Sequence, residues 1–182
     1  MPVPARRLLP ALTLTCALLA GTTACGGTDD DTATASATPS PTGSAEKQKF
    51  AKTRFVANAG LAAGATYQWI VKPWRAGTFK KGADGRRTAL VKAGLAGAFT
   101  YNRLKAARRN AEGDPTLAKA VAPLTAGIDA LKDLPSKLRN GDSADAAAGS
   151  FDDIVNKVKD AGKSAGAEVT DQVPSVSQLS GG

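Results

Sequence analysis

The chain of 182 residues contains no histidine, and its only two cysteines, Cys16 and Cys25, fall within the first 25 positions. Without an imidazole there is no Ser-His-Asp or Cys-His catalysis, no zinc site built on His, and no haem ligation by His. Cys16 lies inside an apolar run and reads as a small hydrophobe. If Cys25 is consumed by acylation, the mature chain has neither a free thiol nor a possible disulfide. Carboxylate, Lys, Tyr and Ser chemistry remains, and no arrangement of these residues stands out. Asp142/Asp145 and Asp152-Asp153 are the only carboxylate clusters of the domain, and the first pair fits a helix cap and its first turn. We therefore expect no catalytic residue, no metal site, no cofactor and no enzyme.

Long apolar runs are also lacking after the N terminus. Phe55 to Val71 is uncharged, but Asn58, Thr66 and Gln68 interrupt it. It also falls short of the roughly 20 apolar residues that a membrane span needs. This segment reads as a buried core helix.

The first 24 residues have the form of a signal peptide: Arg6 and Arg7, then the apolar run Leu8 to Ala20, then small residues up to Ala24. Cys25 follows directly, with Gly26-Gly27 and a polar tract behind it. This junction resembles a bacterial lipobox, although Thr22 stands where that family usually has Leu. The resemblance implies that Cys25 is diacylglycerylated and that the chain is held on the outer face of the cell membrane. Cleavage without acylation would instead give a secreted protein. Residues 25–45, rich in Thr, Ala, Ser and Gly with Pro39 and Pro41, read as a flexible stalk. Residues 170–182, with Pro174 and a Ser/Gly-rich end, read as a disordered tail.

Between them, residues 46–169 are enough for one domain, and its spacing is helical throughout. The expected fold is all-α, an antiparallel bundle of about four helices. A helix over about 46–71 carries Phe55, Ala59, Ala62, Thr66 and Trp69 on one face, and Lys72-Pro73 should end it. A second, over about 86–111, carries Leu90, Ala93, Gly97, Tyr101 and Leu104. A third starts at Asp114-Pro115, with kinks expected near Pro123 and Pro135. Its stripe runs Leu117, Val121, Leu124, Ile128, Leu131, Leu134 and Leu138. A fourth, over about 143–167, should bury Phe151, Ile154, Val155 and Val158. AGLAAGATYQW at 59–69 matches AGLAGAFTYNR at 93–103 at a constant offset. Chance matching in an Ala/Gly-rich chain is one account of this. The other is that the first two helices cross closely at Gly60, Gly64, Gly94 and Gly97.

Charge is divided unevenly along the chain. Residues 46–109 hold 15 Lys/Arg against two acids, whereas residues 110–182 hold seven against 11. Eight of the nine aromatic residues lie between Phe50 and Tyr101. Such asymmetry points to a polyanionic contact or to halves that attract each other. Two clusters follow from it. One is the connection after the first helix, where Trp74, Arg75, Lys80, Lys81, Arg86 and Arg87 form a possible anion or partner surface. Asp84 would compete for the same helix-start amides, and packing of the tryptophans with solvated cations is the plainer reading. The other combines Lys47, Lys49, Lys52 and Arg54 with Arg103, Lys105, Arg108 and Arg109, at the end of the hairpin nearest the stalk.

With its lipobox-like start, Thr/Ser/Pro stalk and Ala/Gly/Arg-rich helical domain, the chain resembles small lipoproteins of high-GC Gram-positive bacteria. KFAKTRFVANAGLAAGATYQW and KPWRAGTFKKGADGRR resemble segments of uncharacterised secreted proteins from such organisms. The expected role is a binding or structural protein of the cell envelope. Its expected partners are the membrane, through the lipid anchor, and an anionic lipid, wall polymer or acidic envelope protein; nucleic acid is not expected. A carrier with a pocket between the two glycine-rich helices is the alternative. Intact mass of the mature N terminus tests the address: a diacylglycerol adduct on Cys25 is expected, and an unmodified Cys25 overturns it.

Overall fold

The computed structural model describes residues 41–181. The expected signal peptide, Cys25 and most of the expected stalk lie outside the described residues. Within them the chain is all-helical, with no strand. Helix α1 runs Pro41–Thr66 and a π-helical turn Tyr67–Val71 joins it to α2, Lys72–Arg75. Then come α3 (Arg86–Ala111), α4 (Pro115–Val121), α5 (Thr125–Ala130), α6 (Leu134–Asn140), α7 (Ala144–Ser164) and the short α8 (Val176–Ser180).

The first helix begins earlier than expected, so residues 41–45 are helical and belong to no stalk. It also passes the Lys72-Pro73 stop. Proline removes one N–H and crowds the carbonyl four residues back. The chain accommodates this by widening one turn, so that the Lys72 N–H donates to the Tyr67 carbonyl five residues earlier. The extra residue rotates everything downstream by about 100°. Ile70 and Val71 therefore turn into the core, while Trp69, expected on the buried stripe, is only half-buried.

Helix α3 matches its expected limits and is the central element. It packs against α1 and α6 above all, and also against α4, α5 and α8. Ala93, Gly94, Ala96 and Gly97 are all buried, and their small size is what lets neighbours approach from more than one side. The repeated segments do meet in one place. Thr66 and Thr100, equivalent positions of the two copies, place their hydroxyls 3.1 Å apart in the core, and the Thr100 Oγ1 also donates to the Ala62 carbonyl at 3.4 Å. Each buried hydroxyl is thereby satisfied in an apolar contact.

The glycines act differently from the expected crossing of the first two helices. A Cβ on Gly60 would lie 2.5 Å from the Thr170 carbonyl oxygen, and one on Gly64 would collide with the Gln172 carbonyl. Gly94 faces Pro135 and Arg139 around α6, and Gly97 faces the Phe151 ring of α7. The bare helix surfaces thus receive other partners.

The partner at Gly60 and Gly64 is the segment expected to be a disordered tail. After α7 the chain turns at Gly166 and runs extended along α1, burying Ala167, Val169 and Pro174. The Gln172 N–H donates to the Gly60 carbonyl at 2.9 Å, and Lys159 pairs with Asp171 at 2.6 Å. Ser175 and Gln178 then form a capping box that starts α8, and Leu179 is buried.

The middle of the chain follows expectation. The Asp114 carboxylate accepts the Leu117 N–H at 2.8 Å and Pro115 occupies the first helical turn. Tight 3-10 turns at Ala122–Leu124, which contains Pro123, and at Leu131–Asp133, just ahead of Pro135 in the first turn of α6, separate α4, α5 and α6. Leu117, Val121, Ile128, Leu131 and Leu138 are buried, while Leu124 and Leu134 are only partly so. In α7, Phe151, Val155 and Val158 are core residues; Ile154 is half-buried, its tip lying over Gly127.

Replacing Gly64 by Ala should force the 169–174 segment off α1, with a cost of about 1–3 kcal/mol. Faster hydrogen exchange at the Gln172 amide and a lower denaturant midpoint report it. Gly149→Ala, in α7 with open space around the position, should leave both unchanged or raise the midpoint slightly.

Candidate binding surfaces

The connection between α2 and α3 is held from inside. Gly77 takes φ 73° after the α2 C-cap Ala76, the Thr78 N–H donates to the Pro73 carbonyl, and Phe79 is buried. Arg86, at the start of α3, donates from Nε to the Phe79 carbonyl at 2.8 Å and from Nη2 to the Gly141 carbonyl at 3.5 Å. Its guanidinium thus ties the loop and the α6–α7 turn to α3. At Gly141, which has φ 75°, a Cβ would strike that guanidinium and Leu90, so the turn has room only for glycine.

The six residues of the first expected surface are accordingly divided. Arg86 is used in folding, Arg75 pairs with Asp152 of α7 at 3.0 Å, and Trp74 packs against the core. Lys80, Lys81 and Arg87 are exposed and have no ion-pair partner among the described residues. Asp84 does not cap α3: the cap position is Gly85, in the left-handed region, with no side-chain hydrogen bond.

The second expected cluster is divided in the same way. Lys52 donates to the Ala165 carbonyl at 3.0 Å and lies 3.7 Å from the buried carboxylate of Asp114. Arg103 reaches Asn58 at 3.4 Å and lies over Phe99, and Lys105 lies over Tyr101. Arg108 approaches Asp129 at 4.0 Å, while its Nε is buried without a hydrogen-bond partner. Lys47, Lys49, Arg54 and Arg109 remain exposed. Three of these, Lys47, Arg54 and Arg109, surround a groove of about 360 Å³ whose one large apolar side chain is Phe50, 62% exposed. Phe50 was not among the expected site residues. The signal was legible, because Lys47, Phe50 and Arg54 are spaced three and four apart and share a helix face.

A larger cleft, about 590 Å³, opens between the π turn and the first turns of α3. Trp69, Pro73, Ala76 and Ala89 form its apolar wall, Thr88 sits on its α3 side, and Lys72 and Lys92 are its only charged residues. The Lys92 ammonium lies 5.6 Å from the centre of the Trp69 ring, and the Trp69 Nε1–H donates to the Pro174 carbonyl at 3.3 Å. Sequence spacing did not single out this cleft, because the π turn that exposes Trp69 breaks the helical period. It joins the first two long helices at their loop end, away from the glycines, whose faces are filled.

Among the described residues no group of acids forms a metal site, and no helix is long and apolar enough to cross a membrane. No family model matches the chain, and no curated protein or solved structure matches it.

Arg86→Ala should lower stability by about 1–3 kcal/mol in urea unfolding, because two partly buried carbonyls lose a charged donor. Arg87→Ala should change it by less than about 0.5 kcal/mol. Equal effects would contradict the structural role of Arg86.

Proposed function

We propose that this protein is a non-catalytic binding protein of the cell envelope, anchored through a lipid on Cys25 to the outer face of the membrane. Its helices form an antiparallel bundle, and the face around Phe50, Lys47, Arg54 and Arg109 engages anionic lipid. The antiparallel reading is supported by the register of contacts. As α1 rises through Lys52, Asn58 and Thr66, its partners descend through Asp114, Arg103 and Thr100.

The observation that carries the surface reading is Phe50, an exposed aromatic ring set among three cations that make no ion pair among the described residues. A ring of this kind enters the headgroup region while the flanking cations meet lipid phosphates, each worth roughly 1 kcal/mol near an anionic membrane. Phe50 lies at the α1 end nearest the stalk, so a chain tethered at Cys25 would keep this face within reach of the bilayer. Lys80, Lys81 and Arg87, at the far end of α1, would face the wall or a soluble partner.

Co-sedimentation of the chain from Gly26 onward with vesicles containing phosphatidylglycerol tests the surface without help from a lipid anchor. Binding is expected, and it should weaken as salt rises. Phe50→Ser and the pair Arg54→Glu/Arg109→Glu should each reduce it about tenfold or more, whereas Lys80→Glu/Lys81→Glu should not. Equal binding to neutral phosphatidylcholine vesicles, or indifference to these substitutions, would overturn the proposal.

A further inference from the structure

We propose that the cleft beside Trp69 is a binding site for a small amphipathic anion, an apolar body carrying a single carboxylate or phosphate head. The cleft stands about 28 Å along the first helix from Phe50, so this site is independent of the lipid-facing surface. Its volume, about 590 Å³, lies in the range that accommodates a small organic ligand.

Three features of the cleft select that chemistry. Its wall of Trp69, Pro73, Ala76 and Ala89 is apolar and offers a flat indole face. Its charged residues are both cations, and neither Lys72 nor Lys92 has an ion-pair partner among the described residues. A head group of negative charge therefore meets two ammonium groups and no competing acid. The third feature is rigidity. Trp69 is held at its indole N–H by the Pro174 carbonyl and covered on one face by Lys92, so the wall stands without a ligand.

The π turn explains why the wall exists. In a regular helix Trp69 would continue the buried stripe of Phe55, Ala59, Ala62 and Thr66. The extra residue of Tyr67–Val71 turns Ile70 inward in its place and leaves the indole at the cleft. Such turns recur at functional sites because they re-aim a side chain at the cost of regular hydrogen bonding. The apolar body of the ligand lies against Trp69, Pro73 and Ala89, and its head lies between Lys72 and Lys92.

The test uses 8-anilinonaphthalene-1-sulfonate, an apolar aromatic anion, titrated into the chain from Gly26 onward; every residue of the described core lies between Ala51 and Leu179 and is retained. Saturable one-site fluorescence enhancement is expected, displaced by dodecanoate or dodecyl phosphate below their micelle concentrations. Whichever displaces at lower concentration identifies the head group. Displacement by neutral 1-dodecanol should be at least tenfold weaker. Thr88→Trp, at an exposed position, should abolish binding by filling the cleft, and Lys72→Glu/Lys92→Glu should weaken it more than tenfold with an unchanged circular dichroism spectrum. Lys80→Glu/Lys81→Glu should have no effect. Absence of a saturable site, equal displacement by the alcohol, or unchanged affinity in both the Thr88 and the lysine variants would overturn the proposal.

Discussion

The contact on which the rest of this structure depends is that of main chain lying directly on helix surface, at Gly60 and Gly64 of α1 and at Gly94 of α3. A helix without side chains along one strip lets another backbone come within van der Waals distance, where dispersion contacts are dense and water is excluded. On α1 this strip receives the extended chain 169–173, and the Gly60 carbonyl accepts a hydrogen bond from Gln172. On α3 the corresponding position of the repeated segment receives α6. The two copies thus share a device, and their polar contacts with each other are the paired threonines and the Thr100 hydroxyl on the Ala62 carbonyl. Once the 169–173 chain is seated, Pro174 is carried to the indole of Trp69, and the wall of the cleft is set from a point more than a hundred residues away.

A second constraint acts at the top of the first helix. Pro73 is disfavoured in the interior of an unbroken helix, and the chain does not stop there because Ile70 and Val71 have apolar surface to bury. The π turn satisfies both demands, keeping the helix going while shifting the buried face by one residue. Burial of two aliphatic side chains outweighs one irregular turn, since each is worth roughly 1.5–3 kcal/mol. The amphipathic indole is the residue best suited to be left at the edge, with its N–H bonded and its ring half-covered.

The strong positive charge of residues 46–109 is used in three distinct ways. Arg86, Lys52 and Arg103 reach across the fold to carbonyl or amide oxygens and hold separate segments together. Arg75 and Arg108 approach single carboxylates of the acidic half. The rest, among them Lys47, Arg54, Lys80, Lys81 and Arg87, stay at the surface. Charge composition alone cannot separate these uses, because a guanidinium that bonds a carbonyl and one that faces water contribute equally to the net charge. The difference lies in which backbone oxygens the fold leaves unsatisfied nearby.

Local chemistry accounts for what was legible beforehand. The all-helical class, the limits of α3, the Asp114-Pro115 start of α4, the breaks at Pro123 and Pro135, and the buried Phe55, Phe151 and Leu138 follow from spacing, capping and ring geometry within a few residues. The order of residues 170–181, the partners of the glycines and the exposure of Trp69 do not follow from such rules. The tail is polar and carries Pro174, so by itself it has too little apolar surface to order. It is held by the side-chain-free strip of α1 together with the Lys159–Asp171 pair and the burial of Leu179. Phe50 is intermediate: its spacing with Lys47 and Arg54 was readable, but its exposure depended on which face α3 covered. Sequence by itself determined the limits of α3, the start of α4 and the breaks near Pro123 and Pro135, because those events are governed by interactions between near neighbours. Tertiary structure alone decided which backbone covers each glycine and which cations remain outside, because those outcomes depend on surfaces brought together from distant parts of the chain.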